Sequence, residues 1–320
     1  MRLAPLITLV TAAVVAGTAR VPRRPTSPAP RVRPPRPSAS APGVADSVFV
    51  STAWLAAHLR DPGVVVLEVD LDDSASVRGH IPGARLLPFA RVAARGGSLD
   101  AELPPIAELR EAFERLGVSD ASRVVLSYAR EAPSAARAFV ALDYLGHDRV
   151  SLLDGGLARW QAEGRPVTTA WPRIARGTLH PRPRPSLVAT APWIATRIGR
   201  PGVALIDTRT DGEYLGTAAR HGMPSAGHLA GARQLPWEQL FRDDGGSAAG
   251  ATVKAPAELR RLFAERMRPG DTVVTYCWVG YRASTTYVAA RALGLPVKLY
   301  DGSYQDWAQR RLPVRAGPTP

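Results

Sequence analysis

Cysteine is almost absent from this chain: Cys277 stands alone in 320 residues. A single thiol has no internal partner, so no disulfide framework holds the fold. Two roles remain for it, a small buried apolar residue or a working nucleophile. Lysine is nearly as scarce, at Lys254 and Lys298 alone, and the formal net charge of +13 rests on arginine. Acidic side chains are missing from two stretches. Residues 1–42 carry Arg2, Arg20, Arg23, Arg24, Arg31, Arg33 and Arg36, and residues 168–187 carry Arg173, Arg176, Arg182 and Arg184. Those arginines hold most of the excess charge, which leaves the patterned regions near neutral. Solubilising or surface-adhering segments are expected from them, and no nucleic-acid partner. No His/Cys/Asp/Glu spacing suits a metal site. No apolar run reaches the roughly 20 residues of a membrane span.

The longest apolar run, Leu3 to Ala16, follows one arginine and precedes the small residues Gly17-Thr18-Ala19. That order is expected of a secretory signal over residues 1–19, which would place the protein in the periplasm or outside the cell. An uncleaved segment would instead anchor it to a membrane; once the segment is removed, no transmembrane domain is expected. Residues 20–47, dense in Pro, Arg and Ser through residue 42, read as a disordered spacer. Hydrophobic residues make up 45% of the chain, enough for two ordinary domains.

The two halves repeat one another. GHIPGARLLP (Gly79–Pro88) returns as GHLAGARQLP (Gly227–Pro236), and LLDGGLARW (Leu152–Trp160) as LYDGSYQDW (Leu299–Trp307). His80 and His228 are 148 residues apart, Asp154 and Asp301 147, so two landmarks share nearly one offset, as a duplicated domain requires. The domains are expected over residues 48–167 and 188–314, joined across 168–187. In each, β-branched runs alternate with helical patterns. Strands are expected over Val64–Leu67, Val124–Ser127, Val150–Leu153, Val203–Ile206, Val273–Tyr276 and Val297–Tyr300. Helices are expected over Ile106–Leu116, Ala135–Leu145, Ala257–Met267 and Ser284–Leu293. This alternation predicts an α/β fold, two tandem parallel sheets with helices on both faces.

Cys277 directly follows one of these strands. Gly280 permits a tight loop, and a helix is expected from Ala283 or Ser284. Open parallel sheets bind ligands beyond the carboxyl ends of their strands. A loop entering a helix N-terminus points backbone N–H groups at whatever sits in its centre, and the positive helix end would stabilise a thiolate.

These motifs resemble the tandem-domain rhodaneses, the thiosulfate and 3-mercaptopyruvate sulfurtransferases. The resemblance covers roughly residues 48–314. It rests on the two Gly-His motifs, Asp207-Thr208-Arg209, CWVGYRAS (Cys277–Ser284) and the two Asp-Gly turns. It implies that the second domain is catalytic. The offset from Cys277 lands on Ala129, so the first domain lacks the nucleophile. The loop Cys277, Trp278, Val279, Gly280, Tyr281, Arg282 is one residue shorter than in the related phosphatases, which favours sulfur chemistry over phosphate. The implied reaction takes the outer sulfur of thiosulfate, a small anionic donor, onto Cys277 as a persulfide. A thiophilic acceptor such as cyanide or a thiol then removes it, with no cofactor or metal.

The same resemblance gives Arg282 two possible tasks, binding the anionic end of the donor or bracing the loop. Asp207 and Arg209 would contact substrate or, as a buried ion pair, support the loop. Trp278, Val279 and Tyr281 would shape the pocket mouth, where many members carry a basic residue. Glu213 stands where mercaptopyruvate-type and animal members often carry a substrate-binding arginine, which weakens the mercaptopyruvate alternative. Trp237 would line the cleft or fill the core. His80 and His228, present in both copies, would be structural. The alternative of another class is a non-catalytic sulfur carrier or binding module.

Overall fold

The computed structural model describes residues 48–71, 78–218, 226–242 and 250–320. The expected export segment and spacer, residues 1–47, lie outside the described residues. In the first repeat the elements run β1 (Phe49–Val50), α1 (Thr52–His58), β2 (Val64–Asp70), β3 (Arg85–Pro88), a hairpin of β4 (Ala94–Gly96) and β5 (Leu99–Glu102), α2 (Ile106–Arg115), β6 (Arg123–Tyr128), α3 (Ala132–Tyr144), β7 (Val150–Leu153) and α4 (Gly156–Ala162). The second runs β8 (Val188–Ala189), α5 (Ala191–Ala195), β9 (Val203–Asp207), α6 (Asp211–Leu215), β10 (His228–Leu229), β11 (Arg233–Gln234), α7 (Pro256–Ala264), β12 (Thr272–Tyr276), α8 (Tyr281–Ala292), β13 (Val297–Tyr300), α9 (Ser303–Gln309) and β14 (Val314–Arg315).

Each repeat builds a five-stranded sheet, in the order β1-β7-β6-β2-β3 and β11-β9-β12-β13-β8. All pairings within both sheets are parallel. The central strands are covered on both faces, which is why β2 and β12 read as runs of buried residues and not as alternating ones. β12 lies between β9 and β13, in a register that sets Tyr276 beside Asp207.

Three apolar clusters fill the layers. Val50, Leu55, Ile81 and Trp160 pack on the outer side of the first sheet. Leu205, Tyr276, Tyr304 and Trp307 do so for the second. The largest cluster is shared: Leu126, Phe113 and Phe139 of the first repeat join Phe263, Cys277, Tyr287 and Leu299 of the second. At about 1.5–3 kcal/mol for each fully buried large apolar side chain, this common core makes the two repeats one folding body. α3 and α8 carry it. Their small residues, Ala132 to Ala141 and Ala283 to Ala290, are buried in an unbroken series, as expected of helices enclosed on every side. Asp143 of α3 ties them further, accepting from Tyr287 and Arg291 of α8 at 2.8 Å each.

The connecting segment contains no helix or strand from Trp171 to Arg184, but it is not a loose spacer. It is strapped to the first repeat. Trp171 stacks on His80 at 3.6 Å, Arg176 pairs with Glu111 and Glu114, and Arg184 bridges Asp143 and Asp148. Two of its four arginines therefore neutralise carboxylates of the fold. α8 starts at Tyr281 and α3 at Ala132, each about three residues earlier than the apolar pattern predicts. Gly280, at φ 78°, turns the chain straight into α8. Pro133 sits in the first turn of α3, where its missing N–H costs nothing. The β4–β5 hairpin has no counterpart in the predicted elements; its strands are too short to show a period of two.

Candidate active site

Cys277 is the first residue beyond β12, at the carboxyl end of the central strand of the second sheet. Its backbone is gripped from the turn after β13. The Cys277 N–H donates to Ser303 Oγ at 3.3 Å, and Tyr304 N–H donates to the Cys277 carbonyl at 3.1 Å. Gln305 N–H reaches the Trp278 carbonyl at 3.0 Å. Ser303 holds φ at 52° to present its hydroxyl, which in turn donates to the Tyr300 carbonyl. The loop then closes through Gly280. A Cβ there would lie 2.9 Å from the Asp301 carbonyl oxygen, so the close approach as well as the positive φ selects glycine.

The first backbone bond of α8 runs from Ser284 N–H to the Gly280 carbonyl. The N–H groups from Gly280 to Ala283 are thus the orphan donors that every helix N-terminus carries, at the positive end of a 12-residue helix dipole. Cys277 precedes these free donors by three residues, and none of them is committed to a helical bond. Cys277 itself is fully buried and joins the shared core. An inert core cysteine would be buried too. What distinguishes this one is its place between a strand end and an unpaired helix N-terminus, next to charge.

That charge belongs to Arg282. Its guanidinium makes two parallel bonds to Glu213, at 2.7 and 2.8 Å. Burial works against the Arg282 charge, but Glu213 and the Cys277 sulfur together raise its pKa. Burial would likewise push the Glu213 carboxyl up. Arg282 and the Thr210 N-cap, whose N–H and hydroxyl both reach Glu213, hold it down to about 2. Of its two expected tasks, Arg282 is seen bracing the loop against α6.

Asp207 and Arg209 form a fully buried pair at 2.6 Å behind the loop. Burial opposes the Arg209 charge and the Asp207 carboxylate outweighs it. Tyr276 donates its hydroxyl to Asp207 at 2.7 Å, and the Arg209 guanidinium lies 4.0 Å from the Tyr304 ring centre. The set supports the strand ends on either side of Cys277. Trp278 packs at 5.6 Å against Tyr304, while Val279 sits partly buried at the edge of the outer cluster. Tyr281 turns toward the first repeat, edge-on to Phe89 at 5.1 Å; burial first, then Glu131 and Cys277, push its hydroxyl pKa up. Trp237 packs edge-on to Phe241 and against the shared core. His228 bonds the Tyr214 and Thr319 carbonyls and stacks on Tyr214, a structural arrangement.

The sequence pattern misses Ser303, Tyr304 and Tyr276 as supports of Cys277. The repeated Asp-Gly turn that contains Ser303 signals only the duplication and the family resemblance until the fold brings Ser303 to the Cys277 N–H. In the first repeat the matching position after β6 is Ala129, and no thiol is present there. Among the described residues, no group of three His, Cys, Asp or Glu side chains is placed to hold a metal. No helix among them is long and apolar enough to cross a membrane.

Fold and site together define a tandem α/β protein with one thiol-bearing repeat and one without a thiol. The chain belongs to the rhodanese family: the Rhodanese-like domain is matched twice, over residues 51–163 and 190–310. It is 35% identical over 279 residues to the sulfur carrier protein TtuD of Thermus thermophilus, covering 81% of this chain and 93% of that one. It is 30% identical over 287 residues to the thiosulfate sulfurtransferase of Corynebacterium glutamicum, covering 84% and 90%. Among solved structures, the 3-mercaptopyruvate sulfurtransferase SseA of Escherichia coli superposes with a TM-score of 0.71 at 25% identity, over 81% of this chain and 99% of that one.

Proposed function

We propose that the protein is a sulfurtransferase that uses thiosulfate as donor. The Cys277 thiolate attacks the outer sulfur, the S–S bond of thiosulfate breaks, and sulfite leaves with the bonding pair. The resulting persulfide gives its outer sulfur to a nucleophilic acceptor such as cyanide or a thiol, which restores the thiolate. The observation that carries this reading is the position of Cys277 at a strand end, three residues before the unpaired N–H groups from Gly280 to Ala283. Such preorganised donors stabilise negative charge on sulfur at no reorganisation cost.

Thiosulfate is favoured over 3-mercaptopyruvate by the charges around the loop. A carboxylate donor needs a cation, and both expected candidates are committed, Arg282 to Glu213 and Arg209 to Asp207. Backbone N–H groups suit a compact oxyanion. A second reading, a sulfur carrier that hands its persulfide to a partner protein, is favoured by the name of the relative in Thermus thermophilus. Export is also proposed, from residues 1–19 alone; N-terminal sequencing of protein recovered outside the cytoplasm checks it. The test of function is a donor comparison with cyanide as acceptor. Turnover with thiosulfate well above that with 3-mercaptopyruvate supports the proposal. The reverse order contradicts it, and loading without turnover points to the carrier.

A further inference from the structure

Arg137 lies in α3 of the repeat that has no thiol, and it is fully buried. Its Nε donates to the Val92 carbonyl at 3.2 Å, and its Nη2 to the carbonyl of Ala101. Ala101 is held at φ 61°, a conformation that alanine enters at about 1–2 kcal/mol. Nη1 crosses into the other repeat and donates to Asp301 Oδ1 at 2.5 Å. The second oxygen of Asp301 accepts the Leu103 N–H at 2.8 Å.

Asp301 begins the turn that holds Cys277: Gly302 follows, then Ser303, whose Oγ accepts the Cys277 N–H. Arg137 also lies beside the loop: a Cβ added at Gly280 would come within 3.2 Å of its Nη1. A second bridge runs beside it. Gln305, whose N–H holds the Trp278 carbonyl, accepts the Asp100 backbone N–H at 2.9 Å through Oε1 and donates from Nε2 to the Asp100 carboxylate at 3.1 Å. The hairpin and α3 of one repeat therefore both reach the turn after β13 that holds the cysteine loop of the other.

The repeat offers its own comparison. Asp154, the counterpart of Asp301, accepts the N–H of Val253 at 2.8 Å, so each repeat clamps the other through the same aspartate. The position 148 residues after Arg137 is Thr285, whose buried hydroxyl has no hydrogen-bond partner. The guanidinium is thus present in the clamp that faces Cys277 and missing from the clamp that faces Ala129.

We propose that Arg137 is a positioning residue for sulfur transfer: from the thiol-less repeat it fixes, through Asp301 and the turn that follows it, the loop that carries Cys277. The proposal rests on the reading of Cys277 as the sulfur-bearing group. A displacement of about 1 Å in reacting groups costs on the order of 100-fold in rate, so the loop has much to lose when its support is removed.

The test compares Arg137→Ala and Arg137→Lys with Asp154→Ala, which loosens the mirror clamp away from the thiol. Steady-state transfer from thiosulfate to cyanide, thermal melting and the labelling rate of Cys277 by a small methanethiosulfonate are followed in the full chain. For Arg137→Ala, kcat falls on the order of 10- to 100-fold with KM within about threefold, and labelling of the buried thiol speeds up. Arg137→Lys, which keeps the charge and recovers part of the bonding, falls between Arg137→Ala and the wild type. Asp154→Ala keeps kcat and labelling, whatever its melting temperature. Retention of kcat by Arg137→Ala, or an equal loss in Asp154→Ala, overturns the proposal. If the wild type takes no sulfur from thiosulfate, the functional reading fails by itself. Labelling, which needs no donor, then decides the clamp: acceleration in Arg137→Ala alone upholds it, and equal rates in all variants refute it. If Arg137→Ala does not fold, Arg137→Lys is read by the same criteria.

Discussion

At the scale of single residues, function rests on how charge is distributed around one sulfur. Cys277→Ser keeps the size of the side chain and removes the nucleophile, so sulfur transfer is expected to drop to background in a donor assay while the melting temperature stays close to that of the wild type. Glu213 is the more informative position. It accepts two bonds from the Arg282 guanidinium, so a cation that feels the thiol is spent inside the protein. Glu213→Gln keeps the shape and an oxygen acceptor while discharging the pair. The expected result is a KM for thiosulfate lowered several-fold, up to about tenfold for 1.4 kcal/mol of new attraction, and a stability loss of about 2 kcal/mol in urea titration. An unchanged KM would mean that Arg282 lies out of the donor's reach. Sequence alone made Cys277 legible, because a lone cysteine after a β-branched run has few explanations. It left Arg282 with two tasks, since an arginine's partner is fixed by a residue 69 positions away on another element.

At the scale of elements, the loop between β12 and α8 decides the geometry. Gly280 combines φ 78° with a neighbouring carbonyl 2.9 Å from any added Cβ. Gly280→Ala is therefore expected to cost at least about 2 kcal/mol, from backbone strain and contact together, and to lower transfer rates along with stability. Equal melting and equal kcat for this variant would show the loop to be more compliant than described. The predicted strands coincide with β7 and β13 and fall within a few residues of β2, β6, β9 and β12, because buried parallel strands are contiguous β-branched runs. The helix starts were legible only to within about three residues. The first turns of α3 and α8 hold Pro, Ser, Tyr and Arg, which break the apolar pattern, whereas Gly280 and Pro133 determine where the helices begin. The short strands β1, β3, β8 and β11 left too few residues for any pattern and are defined by their neighbours.

At the scale of the whole molecule, the duplicated motifs announced two domains, but nothing in them announced a shared core. α3 and α8 are so rich in alanine that each reads as weakly amphipathic, and only their mutual packing explains why. Asp154, in the clamp away from the thiol, carries a pH signature. Burial pushes the Asp154 carboxyl up to about 6 and, in the same repeat, Glu68 up to about 7. A carboxyl whose folded pKa is raised contributes its full stability below its unfolded pKa and loses it as pH rises through the folded value. For Asp154, moving from its ordinary 3.8 to about 6 amounts to about 3 kcal/mol lost between about pH 4 and pH 7. Burial lowers the pKa of His147, which works in the opposite direction below its ordinary value, so the comparison is made against a variant. Asp154→Asn keeps an acceptor for the Val253 N–H and cannot ionise. Relative to the wild type it is expected to gain stability from about pH 4 to pH 7 in urea titrations; a constant difference would contradict the assignment.

The central claim, that sulfur travels on Cys277, is tested most directly by mass spectrometry of the intact protein after incubation with thiosulfate. The expected spectrum shows a gain of one sulfur atom, mapped to the peptide that holds Cys277 and removed by cyanide. A protein that stays folded, keeps its free thiol and shows no added mass would contradict the account.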